Sequence, residues 1–563
     1  MDYASLIPYY QRLEQTTKRL EKTAILAELF KNIPPKELKD VAHLAEGRVF
    51  PDASEQKIGF SSQLMKRAIG TVFGVEEPAV TSLLNTLGDL GKVAEELGKK
   101  KRQRTLASEK LTIHSVVETI QKLATLEGAG TVKRKIQLVS SLLSNSSPGE
   151  ARFIVSTILE TLRIGVAEGI VRDAIAQAFE VPVGDVEKAH DFLADYGEVA
   201  FLASEGTLHH IQLLPGKPFH VMLAVLVKDV HEGFECVGKP AEIEYKYDGF
   251  RVLCHKFKGK ITLFTRRLED VTRQFPELVA YVGQQVTGDS FILDSEVIGH
   301  DPATGKYLPF QAMSQRIKRK YGIEAMAKKF PVEMHAFDVL YYNCKSLFDA
   351  PFKERRSLLE KIIKEKKKAL VLAKHLVTAD EKVAEQFYQG ALQAGHEGLI
   401  FKALHAAYKP GRYVGYMAKL KPVLETLDLV IVKAEWGEGR RAQWLSSYTV
   451  ACRGKEDALV EIGKVSTGMK EKKGKGVTFE ELTKELKPFI QKEQGKEVTV
   501  KPSFVVEIAF EEVQRSPTYG SGFALRFPRI VRVRFDRGVS DISTLTEVLK
   551  IYAAQRGRYK QAR

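Results

Sequence analysis

Two stretches of this chain repeat one another. KIGFSSQLMKRAIGTVFGV begins at Lys57 and RIGVAEGIVRDAIAQAFEV begins at Arg163. Aligned, they share a basic residue, Ile-Gly, a double apolar step, Ala-Ile and Phe-x-Val. A duplication of this kind suggests a pseudo-twofold helical domain built from two copies of one unit. Up to about Gly216 the texture is helical, with apolar residues recurring at intervals of three and four. The N-terminus, MDYASLIPYYQRLEQTTKRL, reads as a helix, not as a secretion signal. In FIVSTILETL, Phe153 to Leu162, the residues Ile154, Ile158 and Leu162 fall on one face and predict an amphipathic helix.

Each copy sets a basic residue and a glycine just ahead of a helix: Lys57 with Gly59, and Arg163 with Gly165. Glycine allows close backbone approach, and a helix start presents unpaired N–H groups to an anion. Two such corners could hold the two phosphate strands of a duplex; the plain alternative is a tight helix–helix corner. The formal net charge of +15 and pI of about 9.3 favour phosphate, because a basic surplus usually marks a polyanionic partner.

A chain of 563 residues is too long for one core and suggests about three or four units. No run approaches the roughly 18 apolar residues that cross a bilayer, so no membrane partner is expected. Cys236, Cys254, Cys344 and Cys452 form no CxxC pair, which argues against a disulfide framework or cysteine zinc site and fits a reducing cytoplasm. From about Lys217 to Pro422 strands and helices mix, predicting an α+β unit. From VLETLDLVIVKAEWGEG onward, short alternating segments such as LSSYTVACR, VSTGM and SFVVEIAFEEV suggest a small barrel followed by a terminal helix.

The chemistry gathers in the middle unit. EYKYDGFRV, Glu244 to Val252, places Lys246 at the end of an alternating run. A nucleophilic lysine must shed its proton, and apolar walls with neighbouring cations favour that. Tyr245, Tyr247, Phe250 and Arg251 are the expected suppliers. In FILDSEVIG, alternation puts Asp294 and Glu296 on one face. HAFDVLYYN offers Phe337, an aromatic able to stack on a base, beside Asp338. EGLIFK opens with Glu397, and Lys419 and Lys421 of AKLKP point the same way, repelling unless an anion lies between them. Each segment alone is compatible with a purely structural role; their order is specific.

That order resembles the nucleotidyltransferase superfamily of DNA ligases, RNA ligases and mRNA capping enzymes. LRFPRIVRVRFD, Leu525 to Asp536, resembles the final motif of ATP-dependent DNA ligases, especially archaeal ones. The resemblance covers nearly the whole chain. It implies a multidomain fold: an all-α DNA-binding domain over 1–216, an α+β nucleotidyltransferase (adenylation) domain over 217–422, and a β-barrel OB-fold domain with a C-terminal helix over 423–563. It further implies ATP-dependent sealing of nicked duplex DNA in replication, repair and recombination, by a monomer in the cytoplasm, associated with the nucleoid.

By position, the resemblance implies that Lys246 takes AMP from ATP as a phosphoramidate. Glu244 and Phe337 would hold adenine, Glu296 the ribose, and Arg251 and Arg266 the ribose or phosphate. Glu397 would bind Mg2+, with Mn2+ as a substitute. Lys419 and Lys421 would grip the α-phosphate, with Arg412 in a further phosphate role, and Arg526 and Arg529 would orient the leaving pyrophosphate.

Three places depart from the family pattern. Tyr413 stands where relatives carry an arginine, with Arg412 one position earlier. Arg537 replaces the lysine that closes the final motif. At the sliding-clamp motif, Gln103 is retained but Leu106 and Ala107 replace the aromatic pair, so clamp binding there is expected to be weak or absent. An RNA end-joining ligase shares the centre but generally lacks the helical front, and an inert DNA clamp would have lost Lys246 or Glu397. NAD-dependent ligases carry a four-cysteine zinc module that this sequence lacks.

Overall fold

Helix follows helix through the first two hundred residues, and the order reproduces itself. The computed structural model describes every residue except 52, 53, 55, 101–109, 129, 309, 318, 320, 423–425, 438–440, 442, 472–476 and 555–563. The clamp-motif positions Gln103 to Ala107 lie outside the described residues. The front helices are α1 (Ile7–Gln15), α2 (Arg19–Asn32), α3 (Pro35–Ala45), α4 (Ser62–Phe73), α5 (Glu77–Leu87) and α6 (Leu90–Lys100). They are followed by α7 (Ile113–Thr125), α8 (Thr131–Asn145), α9 (Pro148–Ile158), α10 (Glu168–Phe179), α11 (Val183–Leu193) and α12 (Tyr196–Ser204).

One interval carries α4, α5 and α6 onto α10, α11 and α12, and a slightly longer one carries α2 and α3 onto α8 and α9. The two copies exchange partners: α10 packs on α2 and α4 on α8, while α12 packs on α3 and α6 on α9. Each copy thus completes the core of the other, and a single apolar cluster runs through both.

The amphipathic reading of Phe153 to Leu162 needs correction. The helix stops at Ile158, and Phe153 through Ile158 are all buried, because α9 lies within the cluster instead of on its surface. Leu162 falls beyond the helix, against Gly47. The N-terminal helix is likewise split at Thr16, whose extended backbone ends α1.

Beyond α12 the strands in chain order are β1 (Met222–Leu223), β2 (Val225–Val227), β3 (Ala241–Lys246), β4 (Phe250–Phe257), β5 (Lys260–Thr265), β6 (Phe291–Gly299) and β7 (Val332–Tyr342). Then come β8 (Lys345–Ser346), β9 (Leu370–Leu372), β10 (His375–Thr378), β11 (Gly398–Ala403), β12 (Gly411–Arg412) and β13 (Met417–Leu420). One large sheet runs β10-β3-β11-β13-β2 and the other β5-β4-β6-β7-β8 with β9 on β7, while β1 pairs with β12 in a two-stranded sheet. FILDSEVIG forms β6, a strand flanked on both sides and buried along nearly its whole length.

By its contacts the chain divides into two compact units, Met1–Ala384 with Leu399–Leu420, and Glu385–Gly398 with Lys421–Arg563. The second holds β14 (Leu427–Trp436), β15 (Leu445–Arg453), β16 (Leu459–Val465), β17 (Ile490–Gln494), β18 (Glu497–Val500), β19 (Val505–Ala509), β20 (Glu512–Arg515), β21 (Phe523–Arg526) and β22 (Arg529–Val533). Here β14 pairs with β19 through Leu427 to Val430 and with β18 through Lys433 to Glu435. A strand that changes partner along its length curls the sheet, as a small barrel requires. A helix at Phe479–Leu486 packs on β15 and a terminal helix at Leu545–Ala554 on β20.

Candidate active site

Lys246 is the last residue of β3 and is half-buried. Alternation places Glu242, Glu244 and Lys246 on one face. Tyr245 and Tyr247, two of the expected aromatic neighbours of Lys246, are buried and both meet Lys374, whose Nζ donates to the Tyr245 hydroxyl at 3.2 Å and whose N–H donates to the Tyr247 hydroxyl at 2.9 Å. Phe250 packs on Phe275 in the core. The next two residues of KYDG have structural work: Asp248 accepts the Phe310 N–H at 3.2 Å, and a Cβ on Gly249 would collide with the Val297 carbonyl.

Strand β3 contributes to a buried cluster of four ionisable side chains, Glu242, Glu244, Arg356 and Lys402. The Lys402 ammonium, from β11, sits 2.7 Å from Glu244, donates to the Phe337 carbonyl at 3.2 Å, and lies over the rings of Phe337 and Phe352 at 4.5 and 4.6 Å. Arg356 approaches Glu244 at 3.5 Å and Glu242 at 3.7 Å. Burial, then the charge of Glu244, pushes the Glu242 carboxyl up to about 8, against the opposing pull of Arg356 and Lys402.

On the other sheet Arg251 stands across from Glu296 in the β4–β6 register. Its guanidinium is gripped by Asp294 at 2.7 and 2.5 Å, donates to the Met222 carbonyl at 2.6 Å, and lies 5.4 Å from the Phe337 ring. The Tyr408 hydroxyl donates to Asp294 at 2.9 Å and accepts from Arg251 at 3.2 Å. Burial alone would lower the Arg251 pKa; the Asp294 carboxylate more than reverses it, so the guanidinium stays charged. Arg266 is held below its ordinary value by desolvation, then by the charges of Arg251, Arg412 and Arg267, so these arginines share one region. Arg412 is exposed on β12, and Lys419 is half-buried on β13 opposite Ile400.

In the second unit Lys421 lies 3.2 Å from Glu397 and 3.5 Å from Glu511. The strand β13 ends at Leu420, and Glu397 and Glu511 offset the charge of Lys421. Arg526 pairs with buried Glu512 at 3.3 Å, while Arg529 is exposed on β22. Arg537 pairs with Asp428 at 2.6 Å, beside Arg534, which bonds the same carboxylate at 2.9 Å.

The duplicated corners are alike in the front domain. Ile58 and Ile164 are buried, Lys57 and Arg163 are exposed, and Gly59 and Gly165 have φ of +59° and +69°. Both positions need glycine, because a Cβ disfavours positive φ.

Three family models cover most of this sequence: DNA ligase N terminus over residues 2–204, ATP dependent DNA ligase domain over 221–421, and ATP dependent DNA ligase C terminal region over 441–537. A DNA ligase of Nanoarchaeum equitans is 48% identical over 563 residues, 99% of each chain. One of Methanopyrus kandleri is 43% identical over 98% of this chain and 99% of its own. The chain belongs to the ATP-dependent DNA ligase family. A solved structure described as Pmar-Lig_Pre has a TM-score of 0.63 at 16% identity, covering 94% of this chain and 99% of its own, which speaks to the fold alone. This ligase seals nicks in DNA at the expense of ATP. Among the described residues, no helix is long and apolar enough to cross a membrane.

Sequence reasoning gave no role to Lys402, Arg356, Asp294 or Tyr408 of the ligase. Lys402 closes EGLIFK and Asp294 lies within FILDSEVIG, so both stood in view; nothing local said that their charges would be buried. Arg356 and Tyr408 carry no signal outside the tertiary structure.

Proposed function

We propose that Lys246 is the residue adenylated by ATP and that AMP then passes to the 5′-phosphate of a nick. The observation that carries this reading is a half-buried lysine at a strand end, beside a carboxylate, Glu244, that Lys402 and Arg356 fix in place. The free amine of Lys246 attacks the α-phosphorus, a P–N bond forms and pyrophosphate leaves. The 5′-phosphate oxygen then displaces the lysine from AMP, and the 3′-hydroxyl oxygen, giving up its proton, attacks the phosphorus of that adenylated 5′-phosphate to form the phosphodiester as AMP leaves. Such transfers depend on positioning and charge neutralisation more than on covalent help from the protein.

Within that scheme Glu244 accepts from the adenine amine and the half-buried ring of Phe337 stacks on the base. Glu296 binds the ribose. Arg251, fixed by Asp294, and Arg266 contact ribose or phosphate, with Arg412 a further phosphate contact. Lys419 and Lys421 neutralise the α-phosphate, and Arg526 and Arg529 orient pyrophosphate. Mg2+, or Mn2+ in its place, takes one or two carboxylates together with substrate oxygens and water. Glu397 is the carboxylate we assign to it. When bound, the ion neutralises charge developing on phosphate oxygens.

The corners at Lys57–Gly59 and Arg163–Gly165 contact duplex phosphates. The working division is a DNA-binding domain over 1–216, adenylation over 217–422 and an OB-fold over 423–563. The ligase acts as a monomer in the cytoplasm at the nucleoid, with clamp contact through residues 103–107 weak or absent.

The test is label transfer from α-phosphate-labelled ATP with Mg2+, comparing wild type with Lys246→Ala and chasing with nicked duplex. A covalent label on wild type alone that leaves as the nick closes is expected. Equal labelling of Lys246→Ala would move the nucleophile elsewhere.

A further inference from the structure

The exchange of partners between the two repeats reaches the DNA corners themselves. The same interval separates Lys22 from Lys135, Asn32 from Asn145 and Pro35 from Pro148, so the two lysines hold equivalent places near the start of α2 and α8. Each reaches across to the corner of the opposite copy. The Lys22 ammonium, 4% exposed, donates to the Leu13 carbonyl at 2.6 Å and to the Ile164 carbonyl. The Lys135 ammonium donates to the carbonyls of Ile58 and Gly59 at 3.1 and 3.2 Å.

These bonds bear on how a corner can present itself. The Ile carbonyl and the N–H of the glycine that follows belong to one planar trans peptide and point in opposite directions. An ammonium that draws the Ile58 or Ile164 carbonyl inward therefore turns the Gly59 or Gly165 N–H outward. Burial of each isoleucine and exposure of each glycine and its basic neighbour agree with that orientation. A backbone N–H held toward solvent beside a cation, just ahead of a helix start, is a fixed donor for a phosphate oxygen.

The geometry points to Lys22 and Lys135 as positioning residues for DNA binding, crossed between the repeats: Lys22 sets the Arg163–Gly165 corner and Lys135 sets the Lys57–Gly59 corner. This rests on the reading that both corners contact phosphate. The crossing follows from the packing of α2 on α10 and of α8 on α4. It couples the two halves, because neither repeat builds its own corner alone.

The test is a set of double-mutant cycles in the full chain, read as affinity for a nicked duplex across a range of salt, with thermal unfolding confirming the fold of each variant. Lys135→Met is expected to weaken binding about tenfold, in line with the loss of one or two fixed hydrogen bonds. Lys135→Arg, which can still donate to both carbonyls, restores most of it. Combining Lys135→Met with Lys57→Ala, or Lys22→Met with Arg163→Ala, should be strongly non-additive. The pairs Lys135→Met with Arg163→Ala and Lys22→Met with Lys57→Ala should be additive. Additivity in all four cycles, or non-additivity only within a repeat, overturns the crossed assignment while leaving the corners intact. If Lys57→Ala and Arg163→Ala alone leave affinity and its salt slope unchanged, the corner reading has failed and the assignment with it. Should Lys22→Met not fold, the half-buried Lys135 arm decides the question by itself.

Discussion

The Lys402 ammonium and the Glu244 carboxylate meet at 2.7 Å, and both side chains are buried. They come from different strands of one sheet, β11 and β3, and the lysine also touches Phe337 on the other sheet. Removing the lysine takes away the nearer of the two cations that face the buried Glu244 carboxylate, leaving Arg356 at 3.5 Å. Lys402→Met should therefore destabilise the protein by about 2–4 kcal/mol in a denaturant titration. It should also raise the KM for ATP in the adenylation step, because Glu244 loses its orientation. A loss of stability with unchanged KM would confine the pair to a structural role.

Arg251 and Asp294 form a two-pronged pair in which each oxygen meets a separate nitrogen. A lysine can offer a point charge there but not the fork. Arg251→Lys is expected to recover little of the adenylation rate lost in Arg251→Met. Recovery to near wild-type labelling would show that charge, not geometry, is what the site requires.

Glu242 gives the fold a pH dependence of definite sign. Its carboxyl is raised from about 4.5 to about 8 by burial and by Glu244. Below about 4.5 the proton is present in both folded and unfolded chains, so the contribution is complete. As pH rises toward 8 the unfolded chain ionises first, and stability is lost by no more than about 1.4 kcal/mol per pH unit. Glu242→Gln should remove this decline between pH 5 and 8, measured by denaturation at several pH values. Parallel curves for the two proteins would rule out a neutral Glu242.

Arg526 and Arg529 stand close in sequence but differ in setting. The first pairs with buried Glu512, and the second is exposed. Arg526→Ala should lower stability by about 1–3 kcal/mol, since it removes the cation paired with the buried Glu512 carboxylate. Arg529→Ala should leave the thermal midpoint within about 2 °C while slowing formation of the lysyl-AMP. Equal effects of the two changes on stability would contradict the environments seen in the structure.

Much of the architecture was legible before any tertiary contact was known. FILDSEVIG became β6 and LSSYTVACR became β15 at their quoted limits, because strand alternation with β-branched residues is a local property. The repeated Ile-Gly became two corners with matching positive φ, because only glycine tolerates that backbone cheaply. FIVSTILETL forms a shorter and more buried helix than its periodicity predicts, since periodicity does not distinguish a helix on a surface from one enclosed by a core.

The order of helical and strand-rich regions, the duplication, the basic character and the chain order of the motifs rest on near neighbours and are readable along the chain. Which residues meet is fixed by the folded chain alone. Tyr245 and Tyr247 turned to Lys374, Glu244 found Lys402, Arg251 found Asp294 and Lys22 found the Ile164 carbonyl. The physical reason is that a charge chooses its partner by distance in space and by desolvation. Strand pairing and helix exchange set both between residues far apart in the chain.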